Sequence, residues 1–321
     1  MGGMFGVVSR KDCVTDLFFG IDYHSHLGTK KGGIAVYGEN GFNRAIHNIS
    51  NSPFRTKFEN DIKEMSGKMG IGCISDNEPQ PLLINCRLGS YAIVSVGRVA
   101  NMEELIQDAF DNGHTHFLEM SGGEVNQTEL IAAMINQKDT YVDGIINVLR
   151  KVKGSISFML MTKDGLYLVR DKLGRTPLNI GKGENGFCAS FESHAYINLG
   201  YSLYKELGPG EVCFMTSEEV KTLVEANDKM KICSLPDHLG RQVGGRGFVP
   251  EGRRFQGGTV ALRRRRGQIE HRRRQGQAPD RPVLVSLAEY PIVRQEHIQV
   301  GSVPPRGFVG GKGCGKHQPR R

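Results

Sequence analysis

The chain changes its chemical character near residue 234. Residues 1–234 contain 24 Lys and Arg against 28 Asp and Glu, a net charge of −4, whereas residues 235–321 contain 18 against 6, a net charge of +12. The second segment has few apolar residues, and they follow neither a helical nor a strand period, so it cannot bury enough surface to offset its ordering entropy. We therefore expect one globular domain over residues 1–233 and a disordered basic tail over residues 234–321.

The first segment carries strand and helix signals that are grouped rather than strictly alternating. Short apolar and β-branched runs predict strands, and apolar spacings of three and four predict helices. The predicted strands are Gly3–Ser9, Gly33–Tyr37, Arg44–Ile49, Met69–Ile74, Pro81–Asn85, Tyr91–Val96, Ser155–Met161, Gly165–Val169, Gly186–Ser190 and Glu211–Met215. The predicted helices are Lys11–His26, Pro53–Met65 with Ser52 as N-cap, Asn101–Phe110, Gln127–Asn136 and Tyr141–Val152. This grouping favours a layered α+β fold.

Composition narrows the classes of protein that the chain can represent. The sequence contains no run of about 18 apolar residues, so no transmembrane helix is expected. Its seven Cys have no CxxC spacing and no neighbouring His cluster, so no metal ion or other cofactor is expected. An odd number of Cys without a secretory signal indicates reduced thiols, and we expect a cytoplasmic location.

Six short motifs follow one another in a family-specific order. Together they resemble the N-terminal glutamine amidotransferase domain of the amidophosphoribosyltransferase family, in which the first residue of the mature chain is the nucleophile. The motifs are Gly2–Val8, His26–Ile34, Gly70–Gly72 with Gln80 and Pro81, Arg170–Leu178, Ala189–Ser193 and Gly208–Glu211. The resemblance implies a four-layer αββα sandwich of the N-terminal nucleophile hydrolase type. It also implies the family's activity, the glutamine-dependent formation of phosphoribosylamine that begins purine synthesis.

The positions that carry glutamine hydrolysis in this family hold other residues here. The chemistry needs a thiol beside a free amine, oxyanion donors, and charged groups for the substrate's carboxylate and ammonium. By resemblance, Gly2 takes the nucleophile position, Ser75 that of the carboxylate-binding Arg, and Gln127 that of the ammonium-binding Asp. Val96 and Gly97 align with the Asn-Gly of the oxyanion hole, and loss of one such donor costs roughly 3–4 kcal/mol of transition-state stabilisation. The resemblance therefore implies a retained fold, no catalytic residues and no binding of glutamine.

A thiol and a charged pair could suggest catalysis, but a structural role explains them more simply. Cys13 is the thiol nearest to the N-terminus, but it lies inside the first predicted helix, and cleavage before it would remove the first strand. Asp171 and Arg175 could suggest an acid and a phosphate ligand, whereas the family resemblance implies that their motif forms a structural turn. We expect a structural role for all three residues.

Three functions stay open at this point, and whether the chain is an enzyme stays open with them. The first is a non-hydrolysing amidotransferase-like domain, whose partner would be a phosphoribosyltransferase domain or a second copy of the chain. The second is a small-molecule binding or scaffold module. The third is non-specific nucleic-acid binding through the Arg runs of the tail, which is less expected because only four aromatic residues are available there for stacking.

The sequence after Ser234 lacks the phosphoribosyl-pyrophosphate motif of the family, namely an apolar strand, paired acidic residues and a small-residue phosphate loop. Its change from Lys to Arg, with enrichment in Gly, Pro and Gln, is typical of a shifted reading frame. We expect residues 234–321 to be out-of-frame sequence in place of the transferase domain.

Overall fold

The computed structural model describes residues 2–118, 120–121 and 123–230, without the side chains of residues 120 and 121. Its strands are Gly2–Ser9 (β1), Lys31–Gly38 (β2), Gly41–Asn48 (β3), Met69–Ser75 (β4), Leu82–Cys86 (β5), Gly89–Val99 (β6), Met120–Ser121 (β7), Glu124–Val125 (β8), Gly154–Met161 (β9), Leu166–Val169 (β10), Asn179–Lys182 (β11), Gly186–Ser190 (β12), Ser202–Glu206 (β13), Val212–Met215 (β14) and Val220–Val224 (β15). Its α-helices are Val14–Tyr23 (α1), Phe54–Phe58 (α2), Asp61–Glu64 (α3), Met102–Asp111 (α4), Gln127–Asn136 (α5), Tyr141–Lys151 (α6) and His194–Ile197 (α7), and a 3-10 turn follows α1 at His24–His26.

Two large antiparallel sheets dominate the described residues. Sheet A has the strand order β13-β11-β12-β1-β4-β2-β3, and sheet B has the order β15-β14-β10-β9-β6-β5. Strand β1 lies in the centre of sheet A, paired with β12 on one side and β4 on the other. The N-terminal end of β1 therefore lies at one end of sheet A, beside the end of β4.

Three apolar layers hold the two sheets and the helices together. Along β1 the side chains alternate, as a strand requires: Met4 and Val8 face sheet B, while Phe5 and Val7 pack under α1. The first layer fills the space between the sheets, the second lies between sheet A and α1, and the third lies between sheet B and helices α4, α5 and α6. The predicted four-layer αββα sandwich is confirmed.

The structure shortens the helix predicted over Lys11–His26 to Val14–Tyr23, so that Cys13 is its N-cap rather than an interior residue. It also divides a second predicted helix and adds strands that the patterns did not indicate. The helix expected over Pro53–Met65 is divided into α2 and α3, and Pro53 is the N-cap with extended backbone. The two helices differ in burial: α2 buries Phe54 and Phe58, whereas α3 buries no residue fully and packs only its half-buried Ile62 against the layer under α1. The added strands are β3 over its polar first half, β7, β8, β11, β13 and β15.

Several expectations concern the end of the chain. The predicted domain boundary at residues 233 and 234 and the predicted disordered tail lie outside the described residues, and both stay predictions. Within the described ranges, no helix combines the length and the apolar character needed to cross a membrane.

Candidate functional site

Gly2 lies at the end of sheet A, where the resemblance places the nucleophile. It is paired with Ser75 across β1 and β4. A Cβ atom at residue 2 would come within 2.5 Å of the backbone carbonyl oxygen of Ile74, closer than side chains tolerate. The local backbone is therefore fitted to glycine, and a side chain at this position would require β1 or β4 to move.

Ser75 is the last residue of β4 and is turned toward its own backbone. Its Oγ accepts hydrogen bonds from the backbone N–H groups of Asn77 and Glu78, both at 3.2 Å. This is the local hydroxyl-to-backbone bonding by which Ser stabilises turns. A short neutral hydroxyl used in this way cannot form the bidentate ion pair that an Arg makes with a carboxylate.

The segment that follows, Asp76–Gln80, is called the strap below. On its sheet A side it contacts the chain just before and at the start of β2. Asp76 Oδ1 accepts from the backbone N–H of Thr29 at 2.7 Å, and the carbonyl oxygen of Asn77 accepts from Lys31 Nζ at 3.0 Å.

The strap is also bonded to sheet B. The side-chain amide of the buried Gln80 makes two bonds with the backbone of Ser95 in β6, accepting from its N–H at 2.6 Å and donating to its carbonyl at 3.0 Å. Ser95 Oγ in turn lies 2.7 Å from Thr128 Oγ1 of α5. A five-residue segment thus joins both sheets at the end where β1 begins.

Glu78 of the strap binds the N-terminus of α5. Its Oε1 accepts from the backbone N–H of Gln127 at 2.6 Å, and its Oε2 accepts from Thr128 N at 3.2 Å and Thr128 Oγ1 at 3.0 Å. The N-cap residue Asn126 accepts from Thr128 N at 2.8 Å and from Glu129 N at 3.2 Å. The first backbone N–H groups of a helix have no partner within the helix and attract anions. In α5 these groups donate to the side chains of Glu78 and Asn126.

The side chain of Gln127 crosses to β6. Its Oε1 accepts from the backbone N–H of Val99 at 2.8 Å, and its Nε2 donates to the carbonyl of Gly97 at 3.4 Å. Gly97 has a φ of 147°, and a Cβ there would lie 2.0 Å from the carbonyl oxygen of Ser155. The neighbouring Val96 packs its half-buried side chain against the layer between the sheets. Gln127 thus joins the Gly97–Val99 end of β6 to α5.

The structure connects the positions that the resemblance aligned with the family's glutamine site. A continuous set of contacts runs from Gly2 to Ser75, through Glu78 to Gln127, and on to Gly97. Sequence reasoning missed Glu78, which lies in a loop without a periodic pattern. What each of these replacements does to activity stays a prediction.

Two thiols, Cys13 at the start of α1 and Cys73 in β4, are enclosed by the fold. Cys13 is 1% exposed, and burial, with a smaller contribution from the charge of Asp12, raises the pKa of its thiol far above its usual value. Cys73 is equally buried in β4, and burial followed by the charge of Glu78 raises the pKa of that thiol in the same way. Neither thiol is placed to act as a thiolate nucleophile.

Asp171 is bonded within its own turn. The buried Asp171 carboxylate accepts from the backbone N–H groups of Leu173 at 3.3 Å and Arg175 at 3.1 Å. Its own N–H donates to Ser157 Oγ at 3.0 Å. These contacts are those of a structural turn. The turn packs against β9 and the Gly208–Glu211 segment rather than forming a ligand site.

A surface groove lies elsewhere on the domain. It is formed by the β2–β3 hairpin and the start of β4, with Asp12, Tyr37, Phe42, Glu64 and Lys68 among its lining residues. In sheet A this is the end opposite to the Gly2–Ser75 pair. The groove is therefore separate from the positions that the family resemblance identifies.

A family model matches part of the described domain. Residues 68–197 match the family described as "Glutamine amidotransferase domain". Together with the αββα sandwich, this match shows that the described part of the chain is similar to glutamine amidotransferase domains.

The predicted resemblance to amidophosphoribosyltransferases is confirmed. The amidophosphoribosyltransferase of Methanocaldococcus jannaschii is 29% identical over 232 residues, which cover 68% of this chain and 48% of that protein. The Bacillus subtilis protein of the same name is 26% identical over 245 residues, covering 73% and 50%. The chain thus spans about half the length of the curated relatives it matches.

A solved structure shares the fold. The glutamine phosphoribosylpyrophosphate amidotransferase of B. subtilis, complexed with ADP and GMP, superposes with a TM-score of 0.65 at 24% identity. The match covers 73% of this chain and 51% of that one.

Proposed function

We propose that this chain carries a glutamine amidotransferase domain that has kept its fold and lost the ability to hydrolyse glutamine. The observation that carries the proposal is the contact set at the start of β1. The position of the nucleophile is a glycine packed against Ile74, and the polar groups around it are bonded to the chain itself. A site whose donors and acceptors are already paired has few polar groups left to bind an amino-acid substrate.

The chemistry fails at each step that the family needs. Gly2 has no sulfur or hydroxyl, so no covalent acyl intermediate can form there. Ser75 provides no positive charge for the substrate carboxylate, and Gln127 provides no negative charge for its ammonium group. With Val96 in place of the family's Asn, the side-chain donor of the oxyanion hole is absent as well. All of these losses affect the same reaction, the hydrolysis of glutamine.

The proposal extends to the role of the domain and is supported by its similarity to amidophosphoribosyltransferases. In an intact homologue, a domain of this kind would pack against a phosphoribosyltransferase domain, which would then take ammonia from solution or from another protein. Purine synthesis, a cytoplasmic location and such a partner domain are parts of this proposal.

Glutamine turnover is the test. Purified protein should release no glutamate from L-glutamine above the rate in buffer, as measured by a coupled glutamate dehydrogenase assay. Cys13→Ala should behave identically, because that thiol is buried and protonated. Release of glutamate that survives Cys13→Ala would reject the proposal.

A further inference from the structure

We propose that the surface groove at the β2–β3 hairpin, called the hairpin groove below, binds an extended organic polycation, a linear polyamine. The groove lies at the end of sheet A opposite to the Gly2–Ser75 pair. The inference therefore goes beyond the proposed function and does not depend on it.

The first argument is the size and construction of the groove. Its volume is about 640 Å³, within the range of roughly 300–1,000 Å³ that small-molecule sites occupy. A Cβ at Gly38 would lie 2.3 Å from the carbonyl oxygen of Ser66, and one at Gly67 would lie 2.7 Å from that of Tyr37, whereas a Cβ at Gly41 would meet no atom within 4 Å. The hairpin and the segment before β4 are thus in direct backbone contact along the groove, which is open to solvent at the tip of the hairpin.

The second argument is the sign of the charge in the groove. Three carboxylates line it, those of Asp12, Glu39 and Glu64. Among the described residues that line it, Lys68 alone carries a positive charge. Asp12 is bonded to the chain, since its Oδ2 accepts from the backbone N–H of Gly67 at 2.9 Å. Glu39 and Glu64 are exposed and have no hydrogen-bond or ion-pair partner in the described part of the chain, so both carboxylates are free to bind a cation.

The third argument distinguishes an organic cation from a metal ion. Within the described ranges, no three His, Cys, Asp or Glu side chains are close enough together to hold a metal ion. The carboxylates of the hairpin groove are therefore dispersed rather than gathered around one point. Dispersed negative charges match a cation whose ammonium groups are separated along a chain.

The aromatic residues of the groove favour the same kind of ligand. Tyr37 and Phe42 both line the groove and are half-buried, and their ring centroids are 4.8 Å apart. Aromatic rings attract organic cations, and they provide apolar surface for the methylene groups between the charges. A linear polyamine combines separated ammonium groups with such methylene groups.

Isothermal titration calorimetry of spermidine into the full-length protein at low ionic strength tests the proposal. The wild type should bind spermidine at one saturable site. The double variant Glu39→Gln/Glu64→Gln should bind it at least about fivefold more weakly, because both free carboxylates of the groove are removed. Both side chains are exposed and without partners, so circular dichroism should show the wild-type melting temperature for this variant.

Phe42→Leu tests the aromatic contribution separately. It keeps an apolar side chain against the layer between the sheets and removes the ring that attracts a cation. Spermidine binding should weaken about two- to fivefold. Wild-type affinity in both this variant and the Glu39/Glu64 double variant would overturn the assignment of the site.

The matched control is the double variant Glu103→Gln/Asp111→Asn. It also removes two exposed carboxylates, but from α4, which packs on sheet B rather than at the hairpin. This variant should bind spermidine as tightly as the wild type. An equal loss of affinity in the two double variants would show that spermidine responds only to the overall charge, and would overturn the proposal.

Titration with magnesium chloride in place of spermidine separates the two kinds of cation. Mg²⁺ should bind more weakly than spermidine, because the carboxylates are dispersed. Tighter binding of Mg²⁺, or no saturable binding of spermidine by the wild type, would overturn the polyamine site and leave the proposed function standing. Glutamate release by the wild-type chain would instead overturn the proposed function and leave the groove unaffected.

Discussion

At the scale of single residues, the proposed loss of glutamine hydrolysis depends most on Gly2. A cysteine at this position would supply the missing sulfur, yet its Cβ would lie within 2.5 Å of the Ile74 carbonyl oxygen. The replacements at Ser75 and Gln127 would remain. Under the proposed function, the nucleophile position and its surroundings both differ from the family, so we expect that reversing one of them is insufficient.

Gly2→Cys should consequently fail to restore glutamine hydrolysis. We expect no glutamate release, together with a loss of about 1–3 kcal/mol in the free energy of unfolding from overpacking. Gly2→Ala is the matched control, and it should lose a similar amount in urea denaturation because the added Cβ is shared. Turnover of glutamine by Gly2→Cys would show that the rest of the site is still competent.

The cysteines make a second residue-scale prediction. Among the described thiols, Cys13, Cys73, Cys188 and Cys213 are buried, and burial raises the pKa of each of these thiols above its ordinary value, while Cys86 is half-buried. Among these five thiols, iodoacetamide at pH 8 should therefore label Cys86 in the native protein and the four buried thiols only after unfolding. Peptide mapping by mass spectrometry distinguishes these sites, and rapid native labelling of Cys13 would contradict the structure.

At the scale of elements, His24 joins the end of α1 to sheet A. Its ring is fully buried, with Nδ1 2.7 Å from the carbonyl oxygen of Gly20 and Nε2 3.1 Å from Ser190 Oγ. A Cβ at Gly3 would lie 2.5 Å from the ring, so β1 approaches α1 closely here. Desolvation lowers the pKa of His24 to about 4, although its bond to Gly20 acts in the opposite direction.

The lowered pKa of His24 predicts that the folded protein loses stability in acid. Above pH 6.5 the ring is neutral in both the folded and the unfolded chain, so it makes no pH-dependent contribution. As the pH falls from 6.5 to about 4, the unfolded chain takes up the proton first, and the free energy of unfolding drops by up to about 3 kcal/mol.

Urea denaturation at pH 7 and pH 4.5 measures this loss. His24→Gln should lose less stability than the wild type between the two pH values, because it removes the titrating group. His26→Gln, which changes a more exposed histidine two residues away, should lose as much as the wild type does. An equal loss in all three proteins would show that His24 is not the responsible group.

At the scale of elements, regular local patterns could be predicted from the sequence, whereas an exposed edge strand and a contact between distant residues could not. Helix α5 was predicted with its exact bounds, because its apolar spacing is regular and Asn126 is a good N-cap. Strand β13 was missed, since it is an edge strand whose residues are mostly exposed and polar. The role of Glu78 was missed for a different reason. Its partners lie about 50 residues further along the chain, and no local pattern encodes such a contact.

At the scale of the whole molecule, the three apolar layers are formed by residues between Met4 and Val224. Each face of the two large sheets therefore packs against an apolar layer formed within this part of the chain. The small-molecule and nucleic-acid hypotheses stay predictions, and the second of them concerns residues outside the described part.

The layers predict that a chain ending at Ser234 folds without residues 235–321. Its melting temperature by circular dichroism should be within about 2 °C of that of the full chain, less than the effect of 1 kcal/mol on a domain of this size. Full-length protein at equal ionic strength is the comparison. Loss of cooperative melting in the shorter chain would show that the fold needs residues beyond Ser234.

The central claim concerns covalent chemistry, and a covalent measurement tests it most directly. The full-length protein is incubated with L-glutamine, quenched in acid and digested, and every Cys, Ser and Thr peptide is searched for a γ-glutamyl ester or thioester by mass spectrometry. The account predicts no such adduct, because residue 2 has no nucleophile and Cys13 and Cys73 are buried. A γ-glutamyl thioester at any cysteine of the folded protein would contradict it.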